Sequence, residues 1–326
     1  MRVLAGDIGG TKVDLGIFDD LTLLAHRRFA SRDYNGLDTI CTAFLKSQGE
    51  AALDGAAFGI AGPVTGGRVH TTNLPWLVEQ EGLARHLGCP VAIINDLEST
   101  AHGVPFLAPG EILTLQEGSE EPRASRAIVA AGTGLGEGYM IFDTHRGRYE
   151  PRASEGGHAD FAARGPEETE LFARLARKFG HVSVERVVSG KGIVEILDHL
   201  AAGGRHRAPS ELRDAMAADD PAAVIARAAM DRKHPICVET MRLFVSAYGA
   251  EAGNLALKVM ALGGVYIGGG IAPKIQPLMT AGLFLESFSD KGRFRPLMLR
   301  MPVRLILNEQ APLVGAAAVA RDLAAR

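Results

Sequence analysis

Two stretches of this sequence place glycine and threonine where strands turn back, an arrangement suited to holding phosphate. In the first, VLAGDIGGTKVDLGIF, Val13, Leu15 and Ile17 alternate with Lys12, Asp14 and Gly16. That is the period-two pattern of a strand leaving a turn over Asp7 to Thr11. Gly9 and Gly10 are able to take positive φ and to let backbone N–H groups approach a phosphate oxygen. Thr11 adds a hydroxyl donor, and Asp7 is placed to orient water around Mg²⁺. The second stretch, AIVAAGTGLGEGYMI, repeats this chemistry with Gly132, Thr133, Gly134 and Gly136. Either one alone reads better as a plain glycine hairpin, and the pair together points to a nucleotide. No GxxxxGK[ST] occurs, the glycines miss GxGxxG spacing, and strand follows each turn where those motifs need a helix, so a P-loop or Rossmann site is disfavoured.

The elements that must position these turns are those of a two-domain chain, since 326 residues exceed the usual single core. Residues 1 to about 106 read as three strands, a helix at 36 to 48, two strands, a helix and a strand. Leu37, Ile40, Cys41, Phe44 and Leu45 give the first helix one apolar face. Short apolar strands fall at 56 to 60 and 91 to 95, an alternation that implies a mixed or parallel sheet covered by helices. A Gly/Pro-rich loop near 103 to 110 marks the boundary. Strands are then expected at 111 to 115, 126 to 131 and 136 to 142, followed by mostly helix from 167 to 261 with one long buried helix from Ile236 to Leu262. A strand over Val265 to Gly268 enters Gly268, Gly269 and Gly270, with Ala272 and Pro273 opening a helix. APLVGAAAVARDLAA makes a final helix.

Composition narrows the function. Apolar residues at 47% and charged residues at 22% are the balance of a globular protein. A net charge of −3 with no dense Lys/Arg run gives nucleic acid or an anionic membrane no electrostatic footprint. Residues 2 onward enter a strand without a signal peptide's regions, and the longest apolar stretches are too short and glycine-broken to span a bilayer, so a cytoplasmic location is expected. Cys41, Cys89 and Cys237 are scattered with no CxxC, which excludes a disulfide framework or a Cys-based zinc site. They are expected to be reduced, partly buried thiols.

With these pieces in order, the chain resembles the bacterial glucokinases of the hexokinase, actin and Hsp70 superfamily, essentially end to end. The segments that carry the likeness are GDIGGT at 6 to 11, IAGPVTGGRV at 60 to 69, TNLPW at 72 to 76, INDLEST at 94 to 100, AAGTGLG at 130 to 136, EGGHADFA at 155 to 162, HVSVERVVSG at 181 to 190 and GGVYIGGGI at 263 to 271. The resemblance implies an α/β, two-domain actin-like (ribonuclease H-like) fold with ATP and sugar in an interdomain cleft. A small domain over 1–107 would be completed by the helix 311–326, with a large domain over 108–310. Lys12-Val13-Asp14 departs from the Asn and nearby Arg common in this group, and ROK sugar kinases favour Lys. Those kinases, however, carry a cysteine-rich zinc motif, and residues 158 to 180 contain no cysteine, which favours the non-ROK group.

The resemblance also distributes roles. Gly6, Asp7, Ile8, Gly9, Gly10, Thr11, Gly132, Thr133, Gly134, Gly268, Gly269 and Gly270 would hold ATP, with Mg²⁺ carried by ATP and reached from Asp7 through water. Asp96, at the end of VAIIN, would be the base that takes the sugar hydroxyl's proton, a contribution of roughly 10² to 10⁴ in rate. Taken alone, Asn95 with Glu98 reads as a capping box, which is compatible with that role. Asn95, Glu155, His158 and Glu185 would bind the sugar with Asp96. Glu155 and His158 flank two glycines and supply an acceptor and a donor, and otherwise read as a solvated turn or half a metal site. Glu185 alone reads as a surface helix residue. The function expected is ATP-dependent phosphorylation of glucose by a homodimer. The alternatives are a kinase for another hexose or amino sugar and a non-catalytic sugar sensor on the same fold.

Overall fold

The computed structural model describes residues 1–49, 52–71, 74–204 and 207–325. Its contacts divide the chain into two units, Met1–Glu111 with Glu150–Ala153 and Asn308–Arg326, and Ile112–Tyr149 with Ser154–Leu307.

In the first unit, β1 (Arg2–Ile8) and β2 (Lys12–Asp19) form the antiparallel hairpin that their alternation predicts, with Ile8 opposite Val13. β3 (Thr22–Ala30) extends it, and α1 (Leu37–Ser47) follows. β4 (Gly55–Ile60) joins β1 in parallel, β5 (Arg68–His70) and the unforeseen β6 (Leu77–Glu79) make a small ribbon, and α2 (Gln80–Leu87) leads to β7 (Val91–Asn95), parallel to β4. The sheet order is β3-β2-β1-β4-β7. Side chains alternate between its faces. Leu4, Ile8, Leu15, Ile17 and Phe58 pack with the apolar face of α1 on one side, while Val3, Ala5, Phe18 and Ala57 meet Leu313, Ala316, Ala317 and Ala320 of the C-terminal helix Ala311–Ala324 on the other.

The second sheet and its helices repeat the plan. β8 (Ile112–Gln116), β9 (Arg126–Ala131), β10 (Leu135–Asp143) and β11 (Arg148–Ser154) are followed by α4 (Gly165–Phe179), α5 (Gly190–Ala202), α6 (Ser210–Ala218), α7 (Pro221–Met230) and α8 (Pro235–Val259). β12 (Val265–Gly268) and β13 (Val303–Ile306) complete a sheet ordered β11-β10-β9-β12-β13-β8. α8 is buried on nearly every side and stops at Met260, whose φ of 50° is left-handed. The helix expected from Ala272 begins instead as a 3₁₀ turn, Ala272–Ile275, before a four-residue helix over Gln276–Met279. Among the described residues no helix is long and apolar enough to cross a membrane. All three cysteines are free and buried.

α3 (Asp96–Gly103) begins where β7 ends and is wedged between sheet and C-terminal helix. The Ser99 hydroxyl donates to the Pro312 carbonyl at 2.7 Å, and a Cβ on Gly59 of β4 would stand 2.6 Å from that of Ser99. A Cβ on Gly315 would overlap the Ser99 carbonyl. Gly315→Ala must therefore push the two helices apart, and we expect it to cost about 1–3 kcal/mol of stability. Urea unfolding of the variant beside the parent measures this, and an unchanged midpoint would refute it.

Candidate active site

The first hairpin turns tightly, with the Gly9 N–H donating to the Lys12 carbonyl at 2.9 Å. Neither Gly9 nor Gly10 is left-handed, contrary to the freedom expected of them. At Gly9 the need is space, since a Cβ would lie 3.2 Å from the Lys12 carbonyl oxygen. Gly6 and Ile8 face the core, so only their backbone is available to a ligand. Thr11 is exposed at the tip.

Asp7 shares a register row with Asp14 on β2 and, beyond it, Arg28 on β3. Asp14 is buried and held by His26 Nε2 at 2.8 Å and by Arg28 Nε at 2.9 and 3.1 Å. Asp14 thus folds with a guanidinium supplied by the neighbouring strand. Asp7 has no donor of its own among the described residues. Burial first, then the charges of Asp96 and Asp14, push its carboxyl up to about 7, and Lys12 and Arg28 offset part of that. A carboxylate short of positive charge beside a second carboxylate fits Mg²⁺ held by its phosphates and waters. Three side chains grouped for direct metal ligation are absent among the described residues.

Asn95 and Asp96 sit where β7 becomes α3. Asn95 Oδ1 accepts from the Leu97 and Glu98 N–H groups at 2.9 and 3.3 Å, and Glu98 accepts from the Asn95 N–H, which completes the capping box. Asn95 Nδ2 donates to the Gly62 carbonyl at 3.2 Å, leaving its other hydrogen for a ligand. Asp96 Oδ1 accepts from the Leu97 N–H at 2.9 Å. Thr72 and Asn73 of TNLPW lie outside the described residues.

In the second unit, β9 and β10 meet around Gly132, Thr133 and Gly134, where the Gly132 N–H donates to the Gly134 carbonyl at 2.8 Å. β12 runs parallel to β9 with Gly268 opposite Ala130, which brings the triple glycine to the same end of the sheet. Gly269 has a φ of 82°, and a Cβ there would overlap the backbone of Ala131. Here only glycine serves. The buried Tyr248 hydroxyl, missed by sequence reasoning because it reads as one more core aromatic of α8, accepts from the Ala131 N–H at 3.2 Å and lies 3.3 Å from the Val129 and Gly268 carbonyls.

Glu155 and His158 bound a single 3₁₀ turn that leaves their side chains 4.0 Å apart and more than half exposed. The glycines between them answer to packing, since Cβ atoms on Gly156 and Gly157 would overlap Glu137 Oε2 and the Leu135 carbonyl of β10. The turn is laced to a second segment: the Val184 N–H donates to the Ala159 carbonyl, the Phe161 N–H to the Val182 carbonyl, and His181 Nε2 lies 3.0 Å from the His158 carbonyl. Glu185 follows directly. It is half-buried, and its Oε2 accepts from the Leu135 N–H at 2.9 Å, so it braces the second hairpin as well as standing near the turn.

Two α/β units built on one plan, each with a glycine hairpin inside its sheet, define the actin-like fold of sugar phosphotransferases. The glucokinase family model matches residues 4–323. A glucokinase from Nostoc sp. (strain PCC 7120) is 41% identical over 98% of this chain and 99% of its own. A glucokinase structure from an Antarctic psychrotroph, 29% identical, superposes with a TM-score of 0.83 over 98% of this chain and 99% of that one. A ROK family glucokinase from Streptomyces griseus, solved with glucose and AMPPNP, shares the fold at 23% identity and a TM-score of 0.70, covering 99% of this chain and all of its own, 100%. The chain belongs to the glucokinase family. Its reaction is the ATP-dependent phosphorylation of glucose.

Asp7 gives a pH prediction. Its carboxyl is raised in the folded chain, so its contribution to stability is complete below the ordinary carboxylate range, near 3.8, and is lost as pH rises towards about 7. Without nucleotide or metal, Asp7→Asn should exceed the parent in stability at about pH 8, by on the order of 1–3 kcal/mol, and match it at about pH 4. Thermal melting across pH checks this, and a variant less stable at both ends would refute it.

Proposed function

We propose that Asp96 is the general base of glucose phosphorylation and that Asn95, Glu155, His158 and Glu185 hold the sugar. The observation that carries this reading is the placement of Asp96 at the carboxyl end of β7, fixed by the Asn95 cap and close enough to Asp7 to raise its carboxyl. As the sugar oxygen bonds to the γ-phosphorus and the bond to the ADP oxygen breaks, the hydroxyl proton passes to Asp96. Asn95, with Oδ1 committed to the cap, contributes a donor. Glu155 supplies acceptors, and His158 beside it fixes orientation. Glu185 has a second oxygen for the sugar while Oε2 keeps the hairpin in place.

Backbone N–H groups of both glycine turns, with the hydroxyls of Thr11 and Thr133, would receive the phosphates, and Gly268 to Gly270 would admit the adenosine. Mg²⁺, when bound with ATP, would neutralise charge on the transferring phosphoryl group, and Asp7 would orient its water shell. Because the sugar's hydroxyls are paired one by one, an analogue lacking a partner leaves a buried polar group unmatched, which favours glucose over other hexoses. The reading includes a homodimer in the cytoplasm.

Asp96→Asn should retain glucose and nucleotide binding while turnover falls by about 10²–10⁴. Calorimetry beside a coupled assay of ADP release over glucose, fructose, mannose, galactose and N-acetylglucosamine measures both, and near-parental turnover would remove Asp96 from the mechanism. His158→Ala should raise the glucose KM by roughly tenfold or more, the loss of at least one hydrogen bond to a charged or polar partner, with little change for ATP. An effect confined to ATP would contradict that role.

A further inference from the structure

Beneath the turn that carries Glu155 and His158 lies a pair of carboxyls that the mechanism above leaves unused. Glu137, the third residue of β10, is 1% exposed, and Glu251 of α8 is 5% exposed. The two carboxyls lie close enough for the charge of Glu251 to act directly on Glu137. Counted as carboxylates, Glu137 Oε1 and Glu251 Oε1 have no donor among the described residues. Glu251 Oε2 accepts from Asn254 Nδ2 at 2.9 Å, and Lys258 Nζ stands 3.8 Å from Glu251 Oε1. Lys291 reaches the same corner from beyond the helix Leu283–Ser289, donating to Asn254 Oδ1 at 2.8 Å and to the Ala250 carbonyl at 2.9 Å, with Arg164 and Glu168 acting on it from α4 and its N-terminus. Tyr248, one turn earlier on α8, feels the charge of Glu137.

Two ionised carboxylates in contact in a dry interior repel strongly, whereas one proton between them removes a charge and gives each a partner. Apolar residues would fill this space at less cost, so the pair needs another reason to be there. The contact above it supplies one. Glu137 Oε2 is the surface on which Gly156 rests, and the Gly156 N–H donates to Ser154 Oγ at 3.0 Å.

We propose that Glu137 and Glu251 are a proton-sharing pair that positions the sugar turn. With the proton in place Glu137 seats Gly156, and with it Glu155 and His158; without it, repulsion from Glu251 drives Glu137 against Gly156 and displaces the turn. The proposal rests on the reading of Glu155 and His158 as sugar ligands. Burial and the charge of Glu251 push Glu137 up to about 8, against a smaller opposing effect of Lys258. The proton is therefore lost just above neutrality.

The test is glucose affinity by calorimetry, without nucleotide, over roughly pH 6.5 to 9.5. If only the protonated pair holds the turn, the parent's Kd rises about tenfold at one unit above the Glu137 pKa. Glu137→Gln, whose amide bonds Glu251 without titrating, should give a flat profile. Glu251→Gln, whose amide donates to Glu137, should do the same and serves if the first variant does not fold. A purely structural role would lower the melting temperature of these variants yet leave the alkaline rise in place, and that result overturns the proposal. His158→Ala at about pH 7 separates the two claims, because parental affinity there defeats the sugar reading itself, while lost affinity with an unchanged alkaline rise in Glu137→Gln defeats only the proton pair.

Discussion

The parallel pairing of β9 with β12 is the constraint on which the second unit depends. Its register sets Gly268 against Ala130, and both strands reach their glycine turns at one level. Gly269 then folds over Ala131 so closely that no side chain fits, and the Ile271 N–H donates to the Ala131 carbonyl at 3.2 Å. The Tyr248 hydroxyl bonds both strand ends from beneath. A one-residue slip would turn every inward side chain outward and separate the turns. The hairpin β9–β10 hangs from the same register, and β10 in turn floors the Glu155–His158 turn through Leu135 and Glu137. The Gly132–Gly134 turn, the triple glycine and the Glu155–His158 turn thus share one strand pair as their reference.

Three buried or half-buried carboxylates show three ways of holding negative charge. Asp14 is matched by Arg28 and His26 and is structurally settled. Asp7 has no donor among the described residues and sits beside Asp96 and Asp14, whose charges add to burial in raising its carboxyl. Glu137 faces Glu251, whose charge Lys258 offsets in part from 3.8 Å, and a shared proton removes the remaining repulsion. Residue type alone does not separate these cases. What separates them is the neighbouring strand or helix, which supplies a guanidinium in one case, another carboxylate in the next.

Much of the fold was legible because strand periodicity and glycine punctuation agree. Both hairpins, the face of α1 and the long α8 follow from apolar spacing. β11, with two arginines and a proline, and the four-residue β13 carry too little pattern, and they are strands because a neighbouring edge needs pairing. α8 ends before Leu262 because Met260 turns left-handed, an ending that no glycine announces. Of the proposed site, Asp96, Glu155 and His158 could be singled out from the sequence and its family likeness. That Gly156 and Gly157 are dictated by β10 could not, because the atoms they avoid lie about 20 residues away in sequence. Glu137 did leave a signal, a lone acid inside an otherwise apolar and glycine-rich strand, whose meaning depends on Glu251 more than a hundred residues on.

The thiols have a practical corollary. Cys41 and Cys237 are wholly enclosed and Cys89 nearly so, and burial raises all three thiols above their ordinary range, which suppresses the thiolate that reacts with electrophiles. A cysteine introduced on the surface would meet a maleimide with almost no background. The chain can therefore carry a fluorophore pair at two chosen surface positions without first removing any native sulfur, and the distance between them becomes open to direct measurement.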